Sequence, residues 1–313
     1  MFVIDGLVWA VGTDGNGPMY DVGRDLLTGE IKKRFEPWED WPTWHHHRFY
    51  RNKATEKYII AGRTVIEFVD LTTGKINWVF QATENDVWNA ACDTDFPENC
   101  PVENGPDFDF GGATVVVDTS KHGKLVVAGQ KSGFVHAVKP RTGELVWQTR
   151  VGRGGIQGGI HFGIAAKGET LLVPVSDMGD GRTYPNPDQP GMNALDANTG
   201  KILWTTLHDD ECGERTGCDP GISQVVTVVG DLVIGGAMDG VIRAYAIETG
   251  EVLWQMDTTT GTYPSITGQA ALGGSFGGAA GPIAFDGKLL ISAGYGMYNH
   301  MPGNLFMVLE ANK

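Results

Sequence analysis

Alternating apolar and polar residues recur along this chain in short runs that are bounded by glycine. Runs such as "LVVAG" and "LVIGG" lead into the turns "QKSG" and "AMDG", and the runs "FVHAV" and "VIRAY" follow them. A period of two is typical of strands with one buried face, and glycine supplies the positive φ that tight hairpin turns need. No long amphipathic helix stands out. The pattern therefore predicts an all-β fold.

A Thr-Gly turn and a strand that ends in tryptophan close most of these units. The complete copies are "FVDLTTGKINW" (68–78), "AVKPRTGELVW" (137–147), "ALDANTGKILW" (194–204) and "AYAIETGEVLW" (244–254). Successive repeat glycines lie 45 to 69 residues apart, near the period of a β-propeller blade. We count six strand-turn-strand units, at 2–35, 58–80, 112–150, 170–206, 223–258 and, in part, 282–311.

We therefore expect one β-propeller domain over residues 1–313, with about six recognisable blades. Residues 1–67 form a degenerate N-terminal blade region, in which Lys33 stands where the other units have tryptophan. A large flat side chain at one place on every sheet is expected to wedge between neighbouring blades, where its N–H can bond a backbone carbonyl. The tryptophans concerned are Trp78, Trp147, Trp204 and Trp254.

The composition limits the kinds of molecule that this chain is expected to bind. The 313 residues include 41% hydrophobic and 20% charged positions, so a packed core is expected. A formal net charge of −14 argues against non-specific binding to nucleic acid, and no apolar run is long enough to span a bilayer. The start, "MFVIDGLVWAVG", lacks the basic and apolar regions of a secretory signal. Either a signal has been removed or the chain is a piece of something longer, and we favour the second.

Four cysteines form two close pairs in polar segments, Cys92 with Cys100 and Cys212 with Cys218. No C-x-x-C spacing indicates a zinc site or a haem attachment. Local disulfides in an oxidising compartment are the preferred interpretation over free thiols. Four cysteines allow three pairings, and the sequence does not choose among them.

Several long phrases carry a resemblance to a known family. They are "DVWNAAC", "NCPVENGPDFDFGGA", "VAGQKSGFVHAV", "WQTRVGRGGIQGGIHFG", "DGVIRAY" and "GYGMYNHMPGN". Residues from about 68 to 310 resemble the C-terminal half of polyvinyl alcohol dehydrogenases and related PQQ-dependent dehydrogenases, whereas residues 1–67 resemble other PQQ-repeat-like propeller proteins. The resemblance implies an eight-bladed propeller with pyrroloquinoline quinone (PQQ) across its axis, a calcium ion beside the quinone, and a periplasmic or extracellular location.

The resemblance also assigns individual residues. Lys131 of "GQKSG" matches a basic residue that contacts the quinone, where a cation stabilises the oxyanion that develops on reduction. His161 and Phe162 of "GGIHFG" match a segment that lines the cofactor pocket. The general base of the family is an Asp in a "GDN"-type motif, and the matching stretch here, "IIAGRTVIEFVD", lacks it.

Two pairs of polar residues are further candidates. Asp107 and Asp109 alternate in "GPDFDFGG" and, on a strand, would share a face. They could act as a catalytic base or bind calcium, or they could cap loop amides. Asp86 and Asn89 of "NDVWN" offer oxygen ligands for a metal and fit a loop turn equally well.

Two other stretches have some features of ligand-binding motifs. The run His45–His47 has the spacing of metal ligands in an extended segment, but packing beside the nearby tryptophans is preferred. The glycine-rich stretch 273–281 precedes a strand rather than a helix, so it is not a phosphate-binding loop.

Two functions follow from these observations. The first is PQQ-dependent oxidation of a small or polymeric alcohol, with cytochrome c as a candidate electron acceptor. The second is a non-catalytic PQQ-repeat propeller that acts as a periplasmic binding or assembly scaffold. The absent general-base motif favours the scaffold, and the retained "GQKSG" and "GGIHFG" segments favour the enzyme.

Overall fold

The fold is built of antiparallel strands that pair with their neighbours along the chain. The computed structural model describes residues 64–68, 76–86, 88, 92, 100–102 and 104–310 with their side chains, and the backbone of the strands before residue 64 and of residues 69–70. Within that part, no α-helix occurs and one 3-10 turn spans Met297–Asn299. The all-β prediction is confirmed. His45, His46, His47 and Asn89 lie outside the described residues.

Five sheets contain four strands each in simple up-and-down order. The first two sheets are β1 (Phe2–Ile4), β2 (Leu7–Gly12), β3 (Tyr20–Asp25), β4 (Ile31–Phe35) and β5 (Arg48–Asn52), β6 (Lys57–Gly62), β7 (Val65–Asp70), β8 (Ile76–Gln81). The next three are β9 (Val115–Thr119), β10 (Gly123–Gly129), β11 (Phe134–Val138), β12 (Leu145–Arg150); β13 (Ala165–Lys167), β14 (Thr170–Val175), β15 (Gly191–Asp196), β16 (Ile202–Leu207); and β17 (Thr227–Val229), β18 (Leu232–Gly236), β19 (Val241–Ala246), β20 (Val252–Asp257).

A hairpin and a shorter sheet follow the fifth sheet. They are β21 (Thr262–Pro264) with β22 (Ala270–Leu272), and β23 (Ile283–Phe285), β24 (Lys288–Ala293), β25 (Leu305–Glu310). The six sheets of three or four strands correspond to the six units counted in the sequence, and the described part of the last unit shows three strands. The prediction of PQQ-like propeller blades is confirmed.

The hydrophobic core lies between consecutive sheets. Leu125 and Val135 of the third sheet pack with Leu171 and Val173 of the fourth, and all four are fully buried. A second cluster joins the fourth sheet to the fifth, and a third joins the fifth to the hairpin and the last sheet. This face-to-face succession is how propeller blades bury the apolar side of each sheet.

Tryptophans lock three pairs of neighbouring sheets. Trp78, Trp147 and Trp204 donate Nε1–H to carbonyls of the following sheet, at Pro140, Ala197 and Ile247, over 3.1, 2.9 and 2.8 Å. Each indole also covers the repeat glycine of that sheet: a Cβ on Gly200 would lie 2.5 Å from Trp147 Cε3. The wedge prediction is confirmed at these three positions. Trp254 differs, because it is 41% exposed.

Strand direction separates two ends of the propeller. In the third, fourth and fifth sheets the Thr-Gly turn joins strands three and four at one end. The loop between strands two and three and the connection to the next sheet lie at the opposite end, which we call the loop end. The first strands lie innermost, since β13 contacts both β9 and β17, whereas the fourth strands are the most exposed. The candidate site residues that the structure describes lie in loop-end segments: Asp86, Asp107, Asp109, Lys131, His161 and Phe162.

Candidate active site at the loop end

Lys131 lies at the centre of a buried charge cluster. It occupies the turn between β10 and β11, and its side chain is only 11% exposed. Its Nζ donates to Asp107 Oδ2 at 2.9 Å and contacts Asp109 Oδ2 at 3.4 Å. The backbone N–H of Lys131 also donates to the Asp109 carbonyl at 3.0 Å. The structure therefore brings together the predicted cofactor residue and the two predicted catalytic carboxylates.

The segment that carries the two carboxylates is not a strand, so that part of the sequence interpretation was wrong. Residues 104–110, which we call the acidic segment, have no regular secondary structure, and Asp107 has a φ of 65°. The left-handed conformation breaks the alternation that would place residues 107 and 109 on one face of a strand. Both carboxylates nevertheless reach the same ammonium group.

Asp86 explains how this irregular segment is held. Its Oδ1 accepts the N–H of Asp107 at 3.0 Å, and its Oδ2 accepts the N–H of Phe108 at 2.6 Å. Asp86 is buried, and burial raises its pKa, although these backbone N–H groups act in the opposite direction. The carboxylate thus acts as an anchor for the loop backbone. A role as a metal ligand with Asn89 stays a prediction, because Asn89 is outside the described residues.

Burial and ion pairing act in opposite directions on the pKa of Asp107, and again on the pKa of Lys131. Burial raises the pKa of Asp107 to about 7, even though the ammonium of Lys131 lowers it. Burial alone would lower the pKa of Lys131, but the carboxylates of Asp109 and Asp107 outweigh that effect and raise it. Lys131 is therefore a fixed cation at neutral pH, and Asp107 titrates near neutrality. A carboxyl group that ionises in this range is suited to accept a proton during turnover.

His161 and Phe162 lie beside this cluster in the connection from the third sheet to the fourth. Their rings stack with centroids 4.1 Å apart, and His161 Nδ1 hydrogen-bonds Ser223 Oγ at 2.9 Å. The connection packs closely against the acidic segment, because a Cβ on Gly112 would lie 2.4 Å from Gly163 Cα. A parallel bridge between Ala113 and Gly163 joins the two segments. The predicted pocket residues therefore belong to the same loop end as Lys131.

Sequence reasoning missed the aromatic residues of the loop between β24 and β25. The rings of Tyr295 and Phe162 pack edge to face with their centroids 6.2 Å apart. The ring centroids of Tyr298 and His161 are also 6.2 Å apart. Both tyrosines also contact the His300 ring, at 5.8 and 6.4 Å. We call Tyr295, Tyr298 and His300 the aromatic wall. The phrase "GYGMYNHMPGN", which contributed to the family resemblance, contains all three residues and is the signal that could have identified them.

The residues present fit a planar quinone better than a metal ion. The described part of the chain holds no group of three or more His, Cys, Asp or Glu side chains arranged to bind a metal. Aromatic rings at the same loop end as a buried ammonium, by contrast, suit a flat ring system. Lys131, His161 and Phe162 are the residues that would hold PQQ.

Both predicted disulfides are present. Cys92 bonds Cys100 in the connection that leads to the acidic segment, and Cys212 bonds Cys218 in the connection from the fourth sheet to the fifth. The second loop reaches the aromatic wall, because the N–H of Met301 donates to the Gly217 carbonyl at 3.1 Å. Among the described residues, no helix is long and apolar enough to cross a membrane.

Comparison with known proteins agrees with the repeat and the fold. The PQQ_2 family model, described as outer membrane protein assembly factor BamB, matches residues 52–162 and 131–276, well over half of the chain. The chain belongs to the PQQ_2 family.

Relatives of this PQQ_2 chain include named dehydrogenases. It is 34% identical over 237 residues to a polyvinylalcohol dehydrogenase of Pseudomonas sp., and the match covers 75% of this chain and 36% of that protein. It is 32% identical over 233 residues to a polyvinylalcohol dehydrogenase of Sphingopyxis sp. (strain 113P3), over 72% of this chain and 35% of that protein. The chain thus spans about a third of the length of these two relatives.

A solved structure supports the same fold. The quinohemoprotein alcohol dehydrogenase of Comamonas testosteroni matches with a TM-score of 0.64 at 15% identity. The match covers 99% of this chain and 60% of that one. At this identity the likeness establishes the propeller fold of the PQQ_2 chain and no more.

Proposed function

We propose that this chain carries the proton-transfer site of a PQQ-dependent dehydrogenase that oxidises alcohols. The observation that carries the proposal is the buried ion cluster of Lys131 with Asp107 and Asp109, one ammonium within 3.4 Å of two carboxylates. Burying an ammonium with two carboxylates is costly in desolvation, and groups with perturbed pKa values of this kind cluster at functional sites.

In the proposed reaction, Asp107 accepts the hydroxyl proton of the alcohol as the carbonyl product forms. Its pKa of about 7 allows it to take up that proton and release it again near neutral pH. When bound, PQQ supplies the two-electron acceptor for the alcohol. Lys131 provides a fixed positive charge for developing negative charge, and Asp109 holds that ammonium in place.

The proposal extends to the substrate and the setting. A secondary or polymeric alcohol such as polyvinyl alcohol is the proposed substrate, because two relatives bear that name and match three quarters of the chain. Cytochrome c is proposed as the electron acceptor, and the periplasm or the cell exterior as the location, in keeping with two disulfides. Calcium is proposed with PQQ by resemblance, without a ligand set among the described residues.

A scaffold role is the second candidate. The family model takes its description from an outer membrane protein assembly factor, and the "GDN"-type base motif is absent at its expected position. On this alternative, the buried cluster only stabilises the loop end.

Reconstitution with PQQ and calcium separates the two candidates. Saturable PQQ binding, followed by dye-linked oxidation of propan-2-ol that Asp107→Asn abolishes, is the expected result. A matched control is Asp118→Asn, since Asp118 pairs with Lys124 at an exposed position away from the loop end. Failure to bind PQQ at high micromolar concentration would favour the scaffold.

A further inference from the structure

One side chain joins two segments that are distant in the chain. Gln157 Nε2 donates to the Tyr298 carbonyl at 3.1 Å, and Gln157 Oε1 hydrogen-bonds His300 Nε2 at 2.8 Å. More than 140 residues separate the partners along the sequence. The pair of bonds uses both ends of one amide, so it fixes the loop with little rotational freedom. We call this contact the Gln157 clasp.

The Gln157 clasp bridges non-adjacent sheets at the loop end. Gln157 lies in the connection from the third sheet to the fourth, and Tyr298 and His300 lie in the loop between β24 and β25 of the last sheet. The fifth sheet and the hairpin come between these two sheets in chain order. The contact therefore joins loop-end segments of sheets that are not neighbours along the chain.

The backbone at the clasp is held in an uncommon conformation. Tyr298 and Asn299 have φ values of 56° and 64°, both in the left-handed region that L-residues rarely adopt. Two successive residues of this kind persist only where surrounding contacts impose them, and such strain concentrates at functional sites. Tyr298 is 48% exposed, whereas His300, two residues further on, is buried.

His300, in the same loop, has one ring nitrogen without a hydrogen-bond partner among the described residues. It is 3% exposed, and burial lowers its pKa to about 4, so it is neutral at physiological pH. Because Nε2 must donate to the Gln157 oxygen, Nδ1 is left as an acceptor, and it has no partner among the described residues. An exposed aromatic ring and an unfilled acceptor together suit a ligand that carries both methylene and hydroxyl groups.

We propose that Tyr298 is a specificity-determining residue that packs against the carbon chain of an extended polyhydroxylated alcohol. In this proposal, Gln157 is the positioning residue that holds Tyr298 in place at the loop end. The inference rests on the proposed function and adds the part of the substrate beyond the reacting carbon. A chain of alternating CH2 and CHOH groups presents apolar surface to the ring and hydroxyl donors to His300. A short alcohol such as propan-2-ol reaches the charge cluster without needing either contact.

The test compares propan-2-ol with an oligomer of vinyl alcohol in the dye-linked assay on the full chain with PQQ. Tyr298→Ala raises KM for the oligomer by about tenfold, and it raises KM for propan-2-ol by a factor at least about three times smaller. Tyr298→Phe keeps the ring and behaves as wild type. Gln157→Leu, which removes both hydrogen bonds at similar volume, raises the oligomer KM in the same way. Met297→Ala is the matched control, because Met297 is exposed on the same loop.

The outcomes separate this inference from the proposed function. If wild type oxidises propan-2-ol and Tyr298→Ala changes both substrates equally, the inference is overturned while the proposed function stands. If wild type oxidises neither alcohol, the proposed function fails, and calorimetric titration with the oligomer decides the inference. Weaker binding by Tyr298→Ala than by wild type supports it. Equal affinity of the two proteins, including no binding by either, overturns it.

Discussion

Replacing Lys131 with methionine tests the central electrostatic argument. Methionine has a similar length and removes only the charge. At 2.9 Å and an effective dielectric constant of about 20, the attraction between the ammonium and Asp107 is about 6 kcal/mol. Desolvation of both groups offsets part of this, so breaking the pair costs about 3 to 5 kcal/mol. The cost is limited because the orphaned carboxyl group can neutralise itself by taking up a proton.

The same substitution shifts the titration of Asp107. A nearby cation lowers a carboxyl pKa by about 1 to 3, so its removal raises the pKa of Asp107 from about 7 to about 8 to 10. At pH 7 the ionised fraction then falls from about one half to between about 0.1 and 0.001. Activity at pH 7 therefore drops about 5- to 500-fold, and the acidic limb of the rate profile moves to higher pH.

The stability of the variant has a defined pH dependence. Between about pH 4 and the folded pKa, native Asp107 holds a proton that the unfolded chain has lost, so the free energy of unfolding falls as pH rises. In wild type this decline ends near pH 7, and in Lys131→Met it continues to the raised pKa. Above pH 7, therefore, the variant loses a further ~1.4 kcal/mol per pH unit relative to wild type.

Urea unfolding and initial rates between pH 5 and 9 measure both effects. Lys124→Met is the control, since its pair with Asp118 is exposed and such pairs contribute about 0 to 1 kcal/mol. A pH-independent stability difference between Lys131→Met and wild type would falsify the assignment of a near-neutral pKa to Asp107. An unshifted rate profile would show that Asp107 is not the base.

Three further predictions concern the frame around the site. Asp86→Asn leaves one buried N–H of the acidic segment facing an amide donor, so urea unfolding should show a loss of about 1 to 3 kcal/mol, with a fall in kcat. Gly200→Ala forces a Cβ to within 2.5 Å of Trp147 and should cost more than the ~1 kcal/mol expected of Gly181→Ala, where the space is open. Removing the Cys212–Cys218 disulfide by double substitution to serine should lower stability by about 2 kcal/mol, and dithiothreitol should destabilise the variant less than wild type, because the variant keeps only the Cys92–Cys100 disulfide.

The sheets could be predicted from the sequence because their physics is local and repeated. A period of two, a glycine turn and a tryptophan four residues later recur in each complete unit, and each signal acts within about ten residues. Trp254 shows the limit of this reasoning. Its sequence copy is as complete as that of Trp204, yet the indole is 41% exposed, since packing depends on the neighbouring sheet. That sheet, β23–β25, shows three strands and no Thr-Gly turn in its described part.

The sequence indicates candidate residues for the proposed site but not their geometry. Lys131 and Asp109 were singled out, and the structure places them together. The local pattern "DFDF" indicated a strand, yet Asp107 is left-handed, because Asp86 binds two successive N–H groups from 21 residues away. No local pattern encodes that contact. Gln157 escaped notice for the same reason, since its partners lie more than 140 residues further on.

Two aspartates with no proposed catalytic role explain why acidic residues in this chain are hard to interpret from sequence. Asp86 fixes the acidic segment, and Asp177 performs the equivalent task for the connection that carries His161. The Asp177 carboxylate accepts the N–H groups of Arg153, Gly154 and Gly159 at 2.6, 3.0 and 2.7 Å. A carboxylate with several backbone donors can replace the hydrogen bonds that a strand would supply. Buried carboxylates therefore organise loop-end segments that have little strand pairing of their own. The contact with Lys131 distinguishes the proposed base, Asp107, from these two anchors.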